Sequence, residues 1–188
     1  MNQYTGDGIM ALFGAPIARS GSGRALAVCL CASGELAAAL ELARQVLAES
    51  RKHRVSLDSE PLSLAVLSAA QLATGDVAAA CDTAREAVAC AERIQAGVHL
   101  PSALHALSRA LLAAGGLDDA GAAIDRMEQS ARSIGALNLL PLATWRRAEL
   151  AELRGDAEED ARLLAEARAG FLARGAEGHA RTLERLLA

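Results

Sequence analysis

The chain has 188 residues, of which 52% are hydrophobic but only 2% aromatic, and its formal net charge at pH 7 is −4. An acidic balance offers no attraction to a phosphate backbone, and two Phe, one Tyr and one Trp give few stacking platforms for bases, so nucleic-acid binding is disfavoured. No apolar stretch is long enough to cross a membrane and no basic segment precedes an apolar run at the N-terminus, so we expect a cytoplasmic protein without a membrane contact.

The first 24 residues differ in composition from the rest of the chain. Residues 1–13 are predicted to form a strand, a turn at Gly6-Asp7-Gly8 and a second short apolar strand. Residues 14–24 combine glycine, proline and serine, which is typical of a linker. From residue 25 onward the pattern is helical throughout.

The helical part repeats every forty residues in two unrelated residue types. Prolines stand at 61, 101 and 141, and glycines stand at 75, 115 and 155. Proline is tolerated in the first turn of a helix and glycine favours the end of one, so each pair brackets one short helix. A fixed period of this length indicates an array of helical repeats.

We therefore expect units of two helices each. The units are predicted at about 25–54, 60–96, 100–136 and 140–176, followed by a closing helix at 176–188. Within them the first helices cover 25–33, 61–73, 101–114 and 141–154. The second helices cover 36–53, 76–95, 117–134 and 157–174, with Ser59 and Asp76 as helix N-terminal residues.

Small and aliphatic residues recur at fixed distances from the glycine of each turn. A small residue precedes the glycine by seven positions, and small or aliphatic residues follow it at five, nine and twelve positions. Seven positions before the glycine stand Ala27, Ser68, Ser108 and Ala148. Five positions after it stand Ala39, Ala80 and Ala120, with Asp160 as the exception. Nine positions after it stand Ala43, Ala84, Ile124 and Leu164, and twelve positions after it stand Val46, Ala87, Met127 and Ala167. Over about residues 25–176 this pattern resembles the tetratricopeptide (TPR) repeat family.

The period of forty is longer than the thirty-four of that family, and aliphatic residues occupy its aromatic positions. The resemblance implies an all-α fold, a TPR-like α-solenoid of about four helix pairs plus a closing helix. It also implies a protein or peptide partner on the concave surface of the repeats. HEAT-type repeats share the period, but their turn chemistry fits less well.

Residues 2–16 closely resemble the class III adenylate/guanylate cyclase catalytic domain, through Gly6-Asp7-Gly8 followed by Ile9-Met10-Ala11-Leu12-Phe13-Gly14-Ala15-Pro16. In that family the aspartate of the turn helps to hold the catalytic metal ions, and carried over it is Asp7. Residues 1–17 are then a remnant of such a domain, hairpin-like or disordered, and 18–24 a linker.

The remainder of the cyclase site is missing from this chain. The second metal aspartate would lie before residue 1, the transition-state Asn and Arg would follow residue 18, and Gln3 replaces a substrate-selecting lysine. We therefore expect no enzymatic activity, no catalytic or cofactor-binding residues and no cofactor, with Asp7 not functional as a metal ligand. Magnesium belongs only to an intact cyclase homologue.

The remaining candidates for chemistry favour structural roles. Cys29-x-Cys31 is too tightly spaced for a zinc or redox pair and is expected to be buried, and the nine-residue spacing of Cys81, Cys90 and His99 prevents them from meeting at a metal. His105 is expected to be packed or solvent-facing, although it could line a groove. Trp145 is expected to anchor the core, Arg146-Arg147 to form a surface patch, and residues 158–160 a solvated helix start.

Three functions from different classes follow. The first is a non-enzymatic scaffold for a peptide or protein segment, from a bacterial signalling protein. The second is a fragment of a class III cyclase, active in cyclic nucleotide signalling, whose repeats regulate the cyclase. The third is the sensor module of a bacterial transcription activator, which the near absence of aromatic residues disfavours. The oligomeric state and the identity of the partner are not determined by the sequence.

Overall fold

The computed structural model describes the backbone of residues 16–54 and 57–186 and the side chains of residues 21–54 and 57–185. Over these residues the chain is helical, with short turns and no strand. It divides into two compact units, residues 1–96 and 97–188. The hairpin predicted for residues 1–13 lies outside the described residues.

The first unit contains two helical hairpins. Helix α1 (Pro16–Ser33) packs against α2 (Leu36–His53), and α3 (Glu60–Ala73) packs against α4 (Val77–Arg93). Helix α3 also contacts both helices of the first hairpin, so the hairpins stack side by side. A short 3₁₀ turn (Leu57–Ser59) leads into α3.

The second unit repeats this arrangement and adds one helix. Helix α5 (Leu100–Ala113) pairs with α6 (Leu117–Ser133), and α7 (Leu140–Arg154) pairs with α8 (Ala157–Leu172). Helix α7 contacts α5 and α6, and α9 (Glu177–Leu186) packs on α8. A 3₁₀ turn (Leu137–Leu139) precedes α7, as the corresponding turn precedes α3. From α2 onward every predicted helix is found, with ends that differ by at most two residues.

The glycines of the repeat end their helices for a conformational reason. Gly75, Gly115 and Gly155 have φ of 86°, 76° and 81°, in the left-handed region where a side chain is disfavoured. The next helix then begins at a cap: the Asp76 carboxylate accepts a hydrogen bond from the Ala79 amide at 3.1 Å, and Asp156 accepts one from Glu159 at 3.1 Å. The Ser59 hydroxyl makes no such capping bond, although Ser59 does precede α3.

The predicted core positions are buried in all four hairpins. The small residues seven positions before the turn glycine, Ala27, Ser68, Ser108 and Ala148, have almost no exposed surface. The Ser68 hydroxyl donates to the Ala80 carbonyl oxygen at 2.8 Å and so links α3 to α4. Because the side chains are small, the helix backbones approach one another closely, and the larger aliphatic residues fill the remaining space.

The linker predicted for residues 18–24 is wrong, because this stretch belongs to α1. The backbone of Gly23 lies so close to α2 that a Cβ there would collide with Cγ2 of Val46. In addition, the Arg24 guanidinium donates to the hydroxyls of Ser59 and Ser63 at 3.3 and 3.2 Å. Tertiary packing therefore holds as helix a segment whose own composition favours a loop.

Candidate functional site

The second unit gathers its aromatic side chains at one place on α7, α8 and α9. The Trp145 ring meets the rings of Phe171 and His179 edge-on, at centroid distances of 6.3 Å in both cases. Phe171 and His179 stack at 4.8 Å. Phe171 is buried, Trp145 is half-buried and His179 is exposed, so the group runs from the core to the surface. Trp145 thus does contact the core, as predicted, but it is not enclosed by it.

Arg146 lies against the face of the Trp145 ring and is only 6% exposed. Its guanidinium carbon is 4.5 Å from the centroid of the Trp145 ring, within the range of a cation–π contact, and its Nη1 is 2.8 Å from the Glu149 carboxylate. Burial lowers the pKa of Arg146 to about 10, which still leaves it charged at neutral pH. The prediction that Arg146 and Arg147 form a surface patch is therefore wrong. Neighbouring side chains on a helix point about 100° apart, so the two arginines face different surroundings.

His105 and Arg109 of α5 lie close enough to act on Arg146. The pKa of His105 is held well below its ordinary value, first by burial and then by electrostatic interaction with Arg146, Arg109 and His179. His105 is therefore a neutral imidazole at neutral pH. Although the residue is partly exposed, its Nδ1 atom is shielded from solvent.

We refer to His105, Arg109, Trp145, Arg146 and Glu149 as the Arg146 cluster. The repeat explains its composition, since residues 105 and 145, and 109 and 149, are forty residues apart and hold equivalent places on α5 and α7. Burial, together with the charges of Glu152 and Asp160, raises the pKa of Glu149 even though Arg146 and Arg109 oppose the shift.

Three shielded polar atoms of the cluster have no hydrogen-bond partner among the described residues. They are Nδ1 of His105, Nε1 of Trp145 and Nε of Arg146. A buried donor without an acceptor is costly, so each such group calls for an explanation. In the hairpin before this unit the equivalents of His105 and Arg146 are Ala65 and Val66, which carry no such groups. Comparison of the repeats could therefore have drawn attention to positions 105 and 146.

The other side of α7 faces a charged groove between α6 and α8. Two adjoining depressions of about 420 and 450 Å³ share Arg147, Glu159 and Leu163 in their linings. Arg147 donates to Asp125 at 2.6 Å and to Glu128 at 2.7 Å. The charges of this groove are largely satisfied within the unit, in contrast to those of the Arg146 cluster.

The cysteine predictions are only partly correct. Cys81 and Cys90 are buried, as reduced structural thiols are expected to be. Cys29 is exposed and Cys31 half-buried, so the burial predicted for this pair is wrong for Cys29. The pair lies on α1, and since residues two apart on a helix point in different directions, the two side chains cannot both face α2.

No metal centre is formed by the part of the chain that the structure describes, where no three His, Cys, Asp or Glu side chains converge. Asp7 lies outside that part, and its role as a metal ligand stays an inference from resemblance. The acidic run 158–160 does open α8, and Glu159 pairs with Arg162 at 2.6 Å. None of the helices described is long and apolar enough to cross a bilayer.

The fold is similar to that of solved helical repeat proteins. Two crystal structures of nearly identical TPR-like repeats from a candidate kinesin light chain of Podosopora anserina superpose with TM-scores of 0.63 and 0.65 at 21% identity. They cover 90% and 92% of this chain and 92% and 94% of their own. Aspartyl phosphate phosphatase F from Bacillus subtilis superposes with a TM-score of 0.70 at 13% identity, over 92% of this chain and 46% of its own.

These likenesses confirm the predicted fold class, an all-α, TPR-like α-solenoid. At this level of identity they carry the fold and nothing about ligands or activity. No family model matches the chain, and no curated protein matches it. The cyclase resemblance of residues 2–16 thus stays a prediction from the sequence.

Proposed function

We propose that the protein is a non-enzymatic interaction scaffold that binds a peptide or protein segment on the concave surface of its TPR-like repeats. The observation that carries the proposal is the fold itself: paired helices stacked through small residues, similar over nine-tenths of the chain to solved TPR-like repeats. Repeats of this type present continuous helical surfaces, which suit extended partners.

Within the second unit, the surface of α5 and α7 near the Arg146 cluster is the best candidate for partner contact. It offers half-buried Trp145 and Arg109, beside exposed His179 of α9. Trp and Arg are the residue types that most often dominate binding energy at protein interfaces. The groove on α6 and α8 is less suitable, since its charges already pair with one another.

Photo-crosslinking from two exposed positions tests this proposal. A photoreactive amino acid would replace either Glu152 on α7, close to the Arg146 cluster, or Asp119 on α6, and the full chain would be irradiated in a cell lysate. We expect a discrete protein adduct from position 152 and none from position 119. Adducts from position 119 alone, or from neither position, would contradict the proposal.

A cyclase-linked role is the alternative that the sequence leaves open. It rests on the resemblance of residues 2–16, and no described residue bears on it. An in-frame cyclase core in the DNA upstream of codon 1 would favour it, whereas a cyclase assay on this chain is expected to show no activity. Three further expectations also stay predictions from the sequence: the cytoplasmic location, the absence of a cofactor and the sensor-module alternative.

A further inference from the structure

The Arg146 cluster has more hydrogen-bonding capacity than its own residues satisfy. Two guanidinium groups, those of Arg109 and Arg146, act on the carboxylate of Glu149, on which the charges of Glu152 and Asp160 act with the opposite sign. Burial, followed by interaction with the charges of Arg146 and Arg109, lowers the pKa of His105 and so keeps its imidazole neutral. A group that brings hydrogen-bond acceptors would satisfy the unpartnered donors, and a negative charge on it would pair with the guanidinium groups.

The unpartnered atoms specify the chemistry of such a group. Nε of Arg146 and Nε1 of Trp145 are donors only, and a neutral imidazole can donate from Nδ1 in one of its two tautomers. An oxyanion accepts several such bonds at once, and guanidinium groups match carboxylate, sulfate and phosphate oxygens particularly well.

Burial limits the size of the ligand. Arg146 is more than nine-tenths buried, and the three unpartnered atoms have almost no contact with solvent. A peptide that lies across the helices would reach Arg109 and His179 but would not reach these atoms. A small ion could enter if the Glu149 carboxylate, which is half-buried and 2.8 Å from Arg146, moved towards solvent.

We propose that the Arg146 cluster is a binding site for a small free oxyanion, of the size of sulfate, phosphate or acetate, which takes the place of the Glu149 carboxylate on Arg146. Arg109 supplies the second positive charge, and Trp145 and His105 supply neutral donors. This site does not depend on the partner surface proposed above, because its ligand is a free ion.

Trp145 provides the readout, since it is the only tryptophan in the chain. The full chain would be titrated with sodium sulfate, and separately with sodium acetate, against sodium chloride at equal ionic strength. We expect a saturable change in tryptophan fluorescence with sulfate or acetate and none with chloride, because the ligand alters the contact between Arg146 and the indole.

Two pairs of variants give the test its direction. Arg109→Gln should weaken sulfate binding at least tenfold, whereas Arg132→Gln, an arginine paired with Glu128 on α6, should leave it unchanged. Glu149→Gln should tighten binding severalfold by removing the competing carboxylate, whereas Glu166→Gln, at an exposed position of α8, should not. Circular dichroism confirms that each variant is folded.

His105 supplies an independent measurement. Burial lowers its pKa most, followed by interaction with Arg146 on α7, Arg109 on its own helix and His179 on α9, and a bound anion would favour the protonated imidazole. The pKa of His105, followed by NMR, should therefore rise when sulfate is added, and sulfate should bind more tightly as the pH falls towards that pKa.

The proposal is overturned if the fluorescence response follows ionic strength alone, or if Arg109→Gln and Arg132→Gln behave alike. Binding of an acetylated tetraglutamate peptide without any response to sulfate or acetate would also overturn it, because the site would then belong to a partner chain. A crosslinked partner with no anion response refutes this inference and leaves the scaffold proposal standing. An anion response without a crosslinked partner refutes the scaffold proposal and leaves this inference standing.

Discussion

Position 95 holds a glutamine where the later repeats have glycine. Gln95 has a φ of 53°, and its equivalents forty and eighty residues further on, Gly135 and Gly175, have φ of 71° and 70°. All three residues close the second helix of a hairpin in the left-handed region. In this region a Cβ costs roughly 1–2 kcal/mol, so Gln95 is strained at a position where the later repeats have glycine.

We therefore predict that Gln95→Gly stabilises the protein by about 0.5–1 kcal/mol, which is the relief of strain less the greater chain entropy of glycine when unfolded. Urea denaturation followed by circular dichroism measures the change. Gln95→Ala is the matched control and should have little effect, because alanine bears the same Cβ. Equal effects from both substitutions would show that the glutamine side chain, rather than the backbone, is responsible.

Single residues also decide where the repeats differ in chemistry. Positions 105 and 146 carry His and Arg where the last hairpin of the first unit has Ala65 and Val66. Both substitutions place polar groups on helix faces that elsewhere pack with aliphatic side chains. The Arg146 cluster is thus a local departure from a repeated apolar pattern, and departures of this kind are expected at functional positions.

At the scale of the element, helix α1 shows how packing overrides local preference. Gly21 and Gly23 both lower its intrinsic helix propensity, yet they meet different surroundings. A Cβ on Gly21 would meet nothing within 4 Å, whereas one on Gly23 would collide with the branched side chain of Val46. Gly23 is therefore needed for the contact between α1 and α2, and Gly21 is not.

Gly23→Ala should destabilise the chain by about 1–2 kcal/mol, since overpacking outweighs the gain in helix propensity. Gly21→Ala should instead stabilise it by up to about 1 kcal/mol. Thermal or urea unfolding measures both changes. In the background of Val46→Ala, the cost of Gly23→Ala should disappear, and its persistence there would contradict the steric explanation.

At the scale of the whole molecule, stability is distributed along the sequence rather than gathered in one centre. Alanine supplies much of the buried surface, and each helix contacts mainly the helices that neighbour it in the chain. In such an array stability approximates a sum of the terms of individual repeats and of their nearest neighbours. A defect should therefore be felt most strongly close to where it is made.

Ile124→Ala tests this expectation, because Ile124 is fully buried on α6. We predict a loss of about 2–4 kcal/mol, with hydrogen-exchange protection falling most in α6 and α7 and little in α1 and α2. Ile134→Ala, at a site 40% exposed, should change stability by less than about 0.5 kcal/mol. A uniform loss of protection over all helices would instead indicate a single cooperative core.

The sequence alone determined the helices and their pairing from residue 36 onward. The reason is that the relevant signals are local: a glycine able to adopt positive φ, an aspartate able to cap the next helix, and small residues at helical spacing all act within one or two turns. Gly75 and Asp76 are sufficient to end α3 and begin α4. Because these signals recur every forty residues, their presence in one repeat supports the same interpretation in the others.

Only the tertiary structure decided the helical state of residues 18–24, the exposure of Cys29 and the burial of Arg146. Each of these depends on residues that are distant in sequence: Val46 against Gly23, and His105 and Arg109 beside Arg146. A side chain's own chemistry does not show which neighbours a fold will bring to it. Arginine is usually exposed, so its burial follows from the stacking of α5 and α7 and not from any pattern within α7 itself.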